Sequence, residues 1–252
     1  MTNTQSAENF IQNKQNAAPL KMRFLGLLHR YRQWMMDLEL SPGSPEADAL
    51  KSYELLPFEK QLSICEHLDI TLEHLDEMAK EVSPYLTVGS KQKLPRELEL
   101  KSLQKMLSRR RLRFADSSAE DFIDDGDLFE VYDAQGVQLY RSWSCYELCY
   151  YNLVDLQVYN WDELYIRPSW VVSKLYEKAP LLFTPGAKTM PYELPEYLLT
   201  ERRQKSNRSL LFKMKFASPL LDEDSGAPIA FLSTGRMTRV PELNPNQSLS
   251  FL

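Results

Sequence analysis

Between Arg208 and Val240 the chain alternates. Leu210, Phe212, Met214 and Phe216 are separated by Leu211, Lys213 and Lys215, a period of two that sets one apolar face on a core and leaves the other in solvent. Asp222-Glu223-Asp224-Ser225-Gly226 then supplies a turn with glycine where positive φ is needed, and Ile229 to Met237 is a second apolar run. The pair reads as an antiparallel hairpin, and the upstream chain has to be parsed around it.

The first half reads differently. Residues 1–19 are polar, with little to bury, and are expected to be a mobile arm. From Leu20 to residue 115 the pattern is helical. Phe24, Leu27, Leu28, Tyr31 and Met35 fall at three-and-four spacing, and this stripe is the expected self-association face of a homodimer. A second helical pattern, interrupted near Pro57, runs from Glu46 to His67, and a third from Leu72 to Val82, with Asp69-Ile70-Thr71 between them as a turn. Helix, turn, helix raises the question of DNA reading. The second helix answers it, because Glu73, Asp76, Glu77 and Glu81 against Lys80 alone would meet phosphates with the wrong sign.

A fourth helix is expected over 96–112. Nine basic residues between Lys91 and Arg113 face only two acids, whereas Asp116 to Asp133 holds eight acids and no base. The acidic block is the expected counter-charge for the basic one. The other role for the basic block is a partner surface, for which Arg109, Arg110 and Arg111 are the candidates.

From Leu128 strands take over. Leu128–Tyr132 and Val137–Tyr140 flank the turn Asp133-Ala134-Gln135-Gly136, and short helical stretches lead to a longer helix at Ser169–Lys178. A strand over Tyr197–Arg203, turning at Ser206-Asn207, feeds the hairpin. Leu128 to Gly136, then Tyr150 to Leu156 with Trp161 to Pro168, and finally Pro219 to Ile229, in that order, resemble a PAS domain over about residues 122 to 240. The resemblance implies a sheet that curls around its own apolar face, short helices on one face, and a cavity for a small ligand. A sheet covered on both faces would overturn that receptor reading and leave only a soluble, intracellular globule. Family members commonly close with an acidic residue that couples to an output helix; Arg236-Met237-Thr238 stands here instead, so output is assigned to the N-terminal helices or a separate protein. Ser144-Cys145-Tyr146-Glu147-Leu148 does not match the flavin-binding cysteine motif of the family. His29, His67 and His74 all lie outside the long helix that supplies a haem ligand there, so no cofactor is expected.

No glycine-rich phosphate loop, nucleophile motif or metal-ligand spacing is found, so no catalytic or metal residue is assigned. Three cysteines, an odd number, and the absence of a signal peptide or apolar span place the chain in the cytoplasm. The expected fold is α+β: a helical unit over 20–115, a PAS-like antiparallel sheet over 116–243 and a tail over 244–252. The expected ligand residues are Trp143, Tyr150, Trp170, Phe212, Met214 and Phe231. The expected function is a non-enzymatic signalling or adaptor protein that senses a small ligand or docks a protein partner. The alternative is a nucleic-acid or anionic-surface binder using the basic helix 96–113.

Overall fold

Leu20, Phe24, Leu27, Leu28, Tyr31, Met35 and Leu38 form one buried stripe, each at most 7% exposed. The computed structural model describes residues 3–86, 94–116, 119–159, 161–192, 194–202 and 208–240, with the side chains of 3–17 and 161–162 excluded; the 244–252 tail and the Ser206-Asn207 turn lie outside the described residues. The stripe belongs to α1 (Asn3–Asp37), which runs through Pro19 across the stretch expected as an arm. It packs against α2 (Glu46–Glu54) and α3 (Phe58–Leu86), and Phe24 stacks on Tyr53 with ring centroids 3.8 Å apart. The face expected to bind a second copy is therefore core of the chain itself, because α3 reaches those side chains first.

The expected turn at Asp69-Ile70-Thr71 is also corrected: α3 is continuous through it. The triplet contains no glycine or proline, and Thr71 Oγ1 donates to the His67 carbonyl at 2.8 Å, a contact a helix accommodates. There is no helix-turn-helix here.

α4 (Arg96–Arg109) is followed by Arg111 at φ 55° and by the short strand β1 (Leu112–Phe114), where the sequence reading continues a helix to residue 112. The basic face of α4 lies on the acidic face of α3. Lys101 meets Glu81 and Lys105 meets Glu77, both at 2.6 Å, and Arg109 reaches Glu73 at 2.9 Å and Glu77 at 2.7 Å. Arg110 is half-buried against His67 and the Leu139 carbonyl, and Arg111 pairs with Asp224. The counter-charge for the basic block is thus α3. The acids of the 116–133 block that make ion pairs to the hairpin, Asp124 and Asp127, hold Lys215 and Arg236.

β2 (Leu128–Asp133) and β3 (Gln138–Arg141) form the first hairpin, with Gly136 at φ 75°. Then come α5 (Trp143–Leu148), α6 (Leu153–Val158), α7 (Trp161–Leu164), β4 (Tyr165–Ile166) and α8 (Ser169–Lys178). A 3-10 turn (Ala179–Phe183), β5 (Met190–Pro191), β6 (Tyr197–Glu201), β7 (Ser209–Asp222) and β8 (Pro228–Arg239) complete the described fold. Among the described residues all strands join one antiparallel sheet in the order β3-β2-β8-β7-β6-β4, with β1 and β5 also bonded to β7. The fold is α+β, with the long β7-β8 hairpin as its axis.

The alternation that marks β7 in sequence breaks within it. The register slips between Met214 and Phe216, a bulge that gives Lys215 no partner. One extra residue exchanges the two faces beyond it. Phe212 and Met214 point one way, while Phe216 and Leu220 point the other, into a cluster with Leu103, Met106 and Leu107 of α4 and with Phe129, Val131 and Leu232. Both faces of the sheet are covered, which corrects the one-sided sheet expected. One apolar cluster links α1, α2 and α3 to Trp143, Tyr151, Leu153, Tyr165 and Leu210, so the core crosses the boundary drawn at residue 115.

The link is polar as well. The Ser41–Pro45 loop, which ends α1, sits on the start of α6: Asn152 Nδ2 donates to the Pro42 carbonyl at 2.8 Å, and the Ser44 amide donates to Asp155 at 3.1 Å. Asn152 and Asp155 form the capping box of α6. Gly43, at φ 76°, has no room for a Cβ, which would lie 2.3 Å from both Asn152 Nδ2 and Asp155 Oδ2. Among the described residues no helix is long and apolar enough to cross a membrane.

Candidate ligand-binding cavity

Along β2 the side chains alternate between the two faces. Phe129 and Val131 enter the packed cluster under α4, whereas Glu130 and Tyr132 face the opposite way into a cavity of about 820 Å³. That volume is in the range of sites for drug-sized molecules. Its floor is the sheet: Arg141 from β3, Phe231, Ser233 and Met237 from β8, Phe212 and Met214 from β7, Tyr197 and Leu199 from β6, and Tyr165 from β4. Its roof is Leu156, Gln157 and Tyr159 at α6, Leu175 and Tyr176 on α8, and Phe183 in the turn beyond. Lys60 of α3 and the turn 133–136 complete the wall at the rim, where Ala134, Gln135, Gly136 and Tyr176 are exposed.

The cavity has two characters. Toward β6, β7 and β8 it is aromatic and apolar, with Tyr132 stacked on Phe231 at 5.4 Å and Tyr197 edge-on to Phe212 at 5.5 Å. Gly235 lets the Phe212 ring lie against β8, because a Cβ there would come within 2.8 Å of that ring and 2.7 Å of the Lys213 carbonyl. Toward β2 and β3 a polar group crosses the floor. Arg141 donates to Glu130 Oε1 through Nη2 at 2.8 Å and Nε at 3.2 Å, and to the Tyr151 carbonyl at 2.8 Å. Tyr132 donates to Glu130 Oε2 at 2.7 Å and accepts from Gln138 Nε2 at 3.0 Å. Burial pushes the Glu130 carboxyl up, but the Arg141 charge and these hydrogen bonds together outweigh it and hold Glu130 below the usual carboxylate range. The pair stays ionised and neutral in sum.

Of the six expected ligand residues, Phe212, Met214 and Phe231 line the cavity. Trp170 stands one layer out, edge-on to Tyr197 and 42% exposed. Tyr150 packs on Tyr151, and its amide donates to Glu201. Trp143 is on the other side of the sheet and is 2% exposed. Period-two alternation placed the floor residues of β7 and β8, whereas Glu130, Tyr132, Arg141 and Ser233 escaped the sequence reading. The aromatic-rich run 140–170 drew attention to itself by composition, but most of its rings are core.

Trp143 belongs to a second polar centre, built around Ser102. Ser102 Oγ accepts from Tyr140 at 2.9 Å and from Trp143 Nε1 at 2.8 Å. Its lone pairs are then used, so its own proton goes to His74 Nε2, 2.9 Å away, and the His74 proton resides on Nδ1. Burial, aided by Arg109, lowers the His74 pKa to about 4. A serine beside a neutral imidazole has the contact of a nucleophile and its base. Here Ser102 is fully buried, and the adjoining void is about 10 Å³, too small for a substrate. Next to this centre Glu99 accepts from the amides of Trp143 and Ser144 at 3.0 and 2.8 Å, doing for α5 what the Ser142 side chain does not. Burial raises its pKa to about 6.

Cys145 and Cys149 are free and buried. Cys145 lies 3.3 Å from Ser142 Oγ, and Cys149 lies 3.6 Å from the Met237 sulfur. Burial raises both thiols above their usual pKa, the setting of inert rather than reactive cysteine. Among the described residues no three His, Cys, Asp or Glu side chains are grouped to hold a metal ion. No protein-family model matches the chain, and no curated protein matches it significantly.

Proposed function

We propose that this chain is a non-enzymatic cytoplasmic signalling or adaptor protein whose PAS-like half senses a small ligand in the cavity between the sheet and α6–α8. The observation that carries the reading is the cavity itself: about 820 Å³, preformed, walled by aromatic side chains and crossed by an ionised Glu130–Arg141 pair. The topology agrees with the resemblance, since β2 of the first hairpin pairs along its length with β8 of the last, and short helices lie between them in sequence. The covering of the second sheet face by α4 was expected to overturn the receptor reading; the reading is kept because that cover lies on the face opposite the cavity, and it now rests on the unfilled face alone.

Output through the N-terminal helices is supported by the single core that joins α1–α3 to the strands and short helices. Three free, buried cysteines suit a reducing compartment. The anionic-surface alternative is weakened by the ion pairs that occupy Lys101, Lys105 and Arg109. Weak, salt-insensitive retention on heparin is the corresponding expectation.

Native mass spectrometry of freshly purified protein tests the reading. The expected result is a non-covalent adduct that disappears on denaturation and is absent from a folded Met214→Trp variant, whose larger ring fills the floor. Bare chain mass in both proteins, with no shift in melting temperature across a panel of aromatic fragments, removes it.

A further inference from the structure

The polar row on the cavity floor selects among ligands. Arg141, Glu130 and Ser233 are direct cross-strand neighbours on β3, β2 and β8, so their side chains stand side by side on one face, about 4.8 Å apart from strand to strand. A carboxylate offers about four lone-pair positions. Arg141 takes two on Oε1 and Tyr132 takes one on Oε2; the Gln138 amide, which donates to Tyr132, also bears on this carboxylate, so a ligand donor would share Oε2 with it. The Glu130 side chain retains 17% of its exposure and lines the cavity. Ser233, its neighbour on β8, lines the cavity too, and its hydroxyl is engaged by no other group among the described residues.

We infer that the cavity takes an uncharged aromatic molecule bearing an N–H or O–H donor, which it places on Glu130 Oε2 with Ser233 Oγ beside it. This rests on the receptor reading above and narrows it. Charge neutrality follows from the floor: Glu130 is already balanced by Arg141, and Arg167, the other cation on that wall, is engaged over the Tyr165 ring at 5.0 Å, so a further full charge on the ligand would be desolvated against groups already in use. Aromaticity follows from the walls, where Tyr132, Tyr197, Phe212 and Phe231 present ring faces and edges.

Three probes of the same ring size separate the choices in calorimetric titrations of the full chain: 2-naphthol, its methyl ether 2-methoxynaphthalene, and 2-naphthoate. The expected order places 2-naphthol about tenfold or more tighter than the ether, as for a hydrogen bond to an ionised group, and puts the naphthoate last. Ser233→Ala should shrink the naphthol preference about threefold with unchanged melting, and Glu130→Gln should abolish it. Should Glu130→Gln fail to fold because Arg141 is left unpaired, Ser233→Ala carries the test alone. Equal affinity for the two neutral probes overturns the donor assignment while leaving the receptor reading standing. Tightest binding of the naphthoate overturns it in favour of an anionic ligand at the rim. Absence of binding by all three, together with a bare chain in the native mass spectrum, overturns both readings.

Discussion

The two faces of one sheet have been treated oppositely. Under α4 the alternate residues Phe129, Val131, Ala230 and Leu232 meet Leu103, Met106 and Leu107 in a filled core. One position along on the same strands, Glu130, Tyr132, Phe231 and Ser233 face a void. The difference lies in what covers each face. A single long helix lays a straight apolar ridge on the first, and close packing follows. Short helices and turns, propped by large rings, span the second and stand away from it. The polar groups divide in the same way: adjacent residues of β3 feed separate networks, Tyr140 to the neutral Ser102–His74 centre and Arg141 to the ionic Glu130 row.

Acid should separate the two networks with the largest effect. His74 of the neutral centre, and His67 beside Arg110 outside both networks, are held near a pKa of about 4 in the folded state, below the ordinary value near 6.5. Their contribution is present above pH 6.5 and is lost as pH falls toward 4, by about 3 kcal/mol for each histidine. Glu99 works the other way, because its folded pKa of about 6 lies above the unfolded value. Its protonated form favours folding below pH 4.5, and that advantage, about 2 kcal/mol, is lost as pH rises through 6. The net expectation is a loss on the order of 4 kcal/mol between pH 7 and 4, read from urea midpoints. A flat profile there would contradict neutral, buried histidines. The Glu130–Arg141 row should not titrate in this window.

Truncation should separate the faces next. Leu232→Ala on the packed face is expected to cost about 3 kcal/mol through the void it leaves. Met214→Ala, on the cavity side, should cost about 1 kcal/mol, because its side chain already borders unfilled space. Equal costs in chemical denaturation would mean that the second face collapses onto itself in solution. A single substitution sharpens the account of the neutral network: Ser102→Ala leaves Tyr140 and Trp143 without an acceptor and is expected to cost about 2 kcal/mol, with no change in ligand affinity. A change in affinity would show that the two networks are coupled through β3.

Much of this was legible from local pattern. The helix at Ser169–Lys178, the turns at Gly136 and Gly226, the β7-β8 hairpin and the stripe on α1 all follow from spacing and from residues with few backbone options. The misreadings share one cause. Where the local signal was weak or two-valued, a distant partner decided: α3 stayed whole at Asp69-Ile70-Thr71, the basic face of α4 took the acids of α3 rather than those beside it in sequence, and the stripe expected to meet a second copy met α3. The cavity was half legible. Phe212, Met214 and Phe231 came from alternation, whereas Glu130 counted only as one acid of the 116–133 block and Arg141 carried no signal until strand pairing set them side by side.

Periodicity and turn chemistry act over a few residues, so the chain alone determined the class of fold, the elements near its hairpin and the buried character of their apolar faces. Which face stays open, where β7 bulges and which charges neutralise one another depend on residues up to about a hundred positions apart. Those choices belong to the tertiary structure, because burial and ion pairing are energies of neighbours in space, and strand pairing is what makes Arg141, Glu130 and Ser233 neighbours.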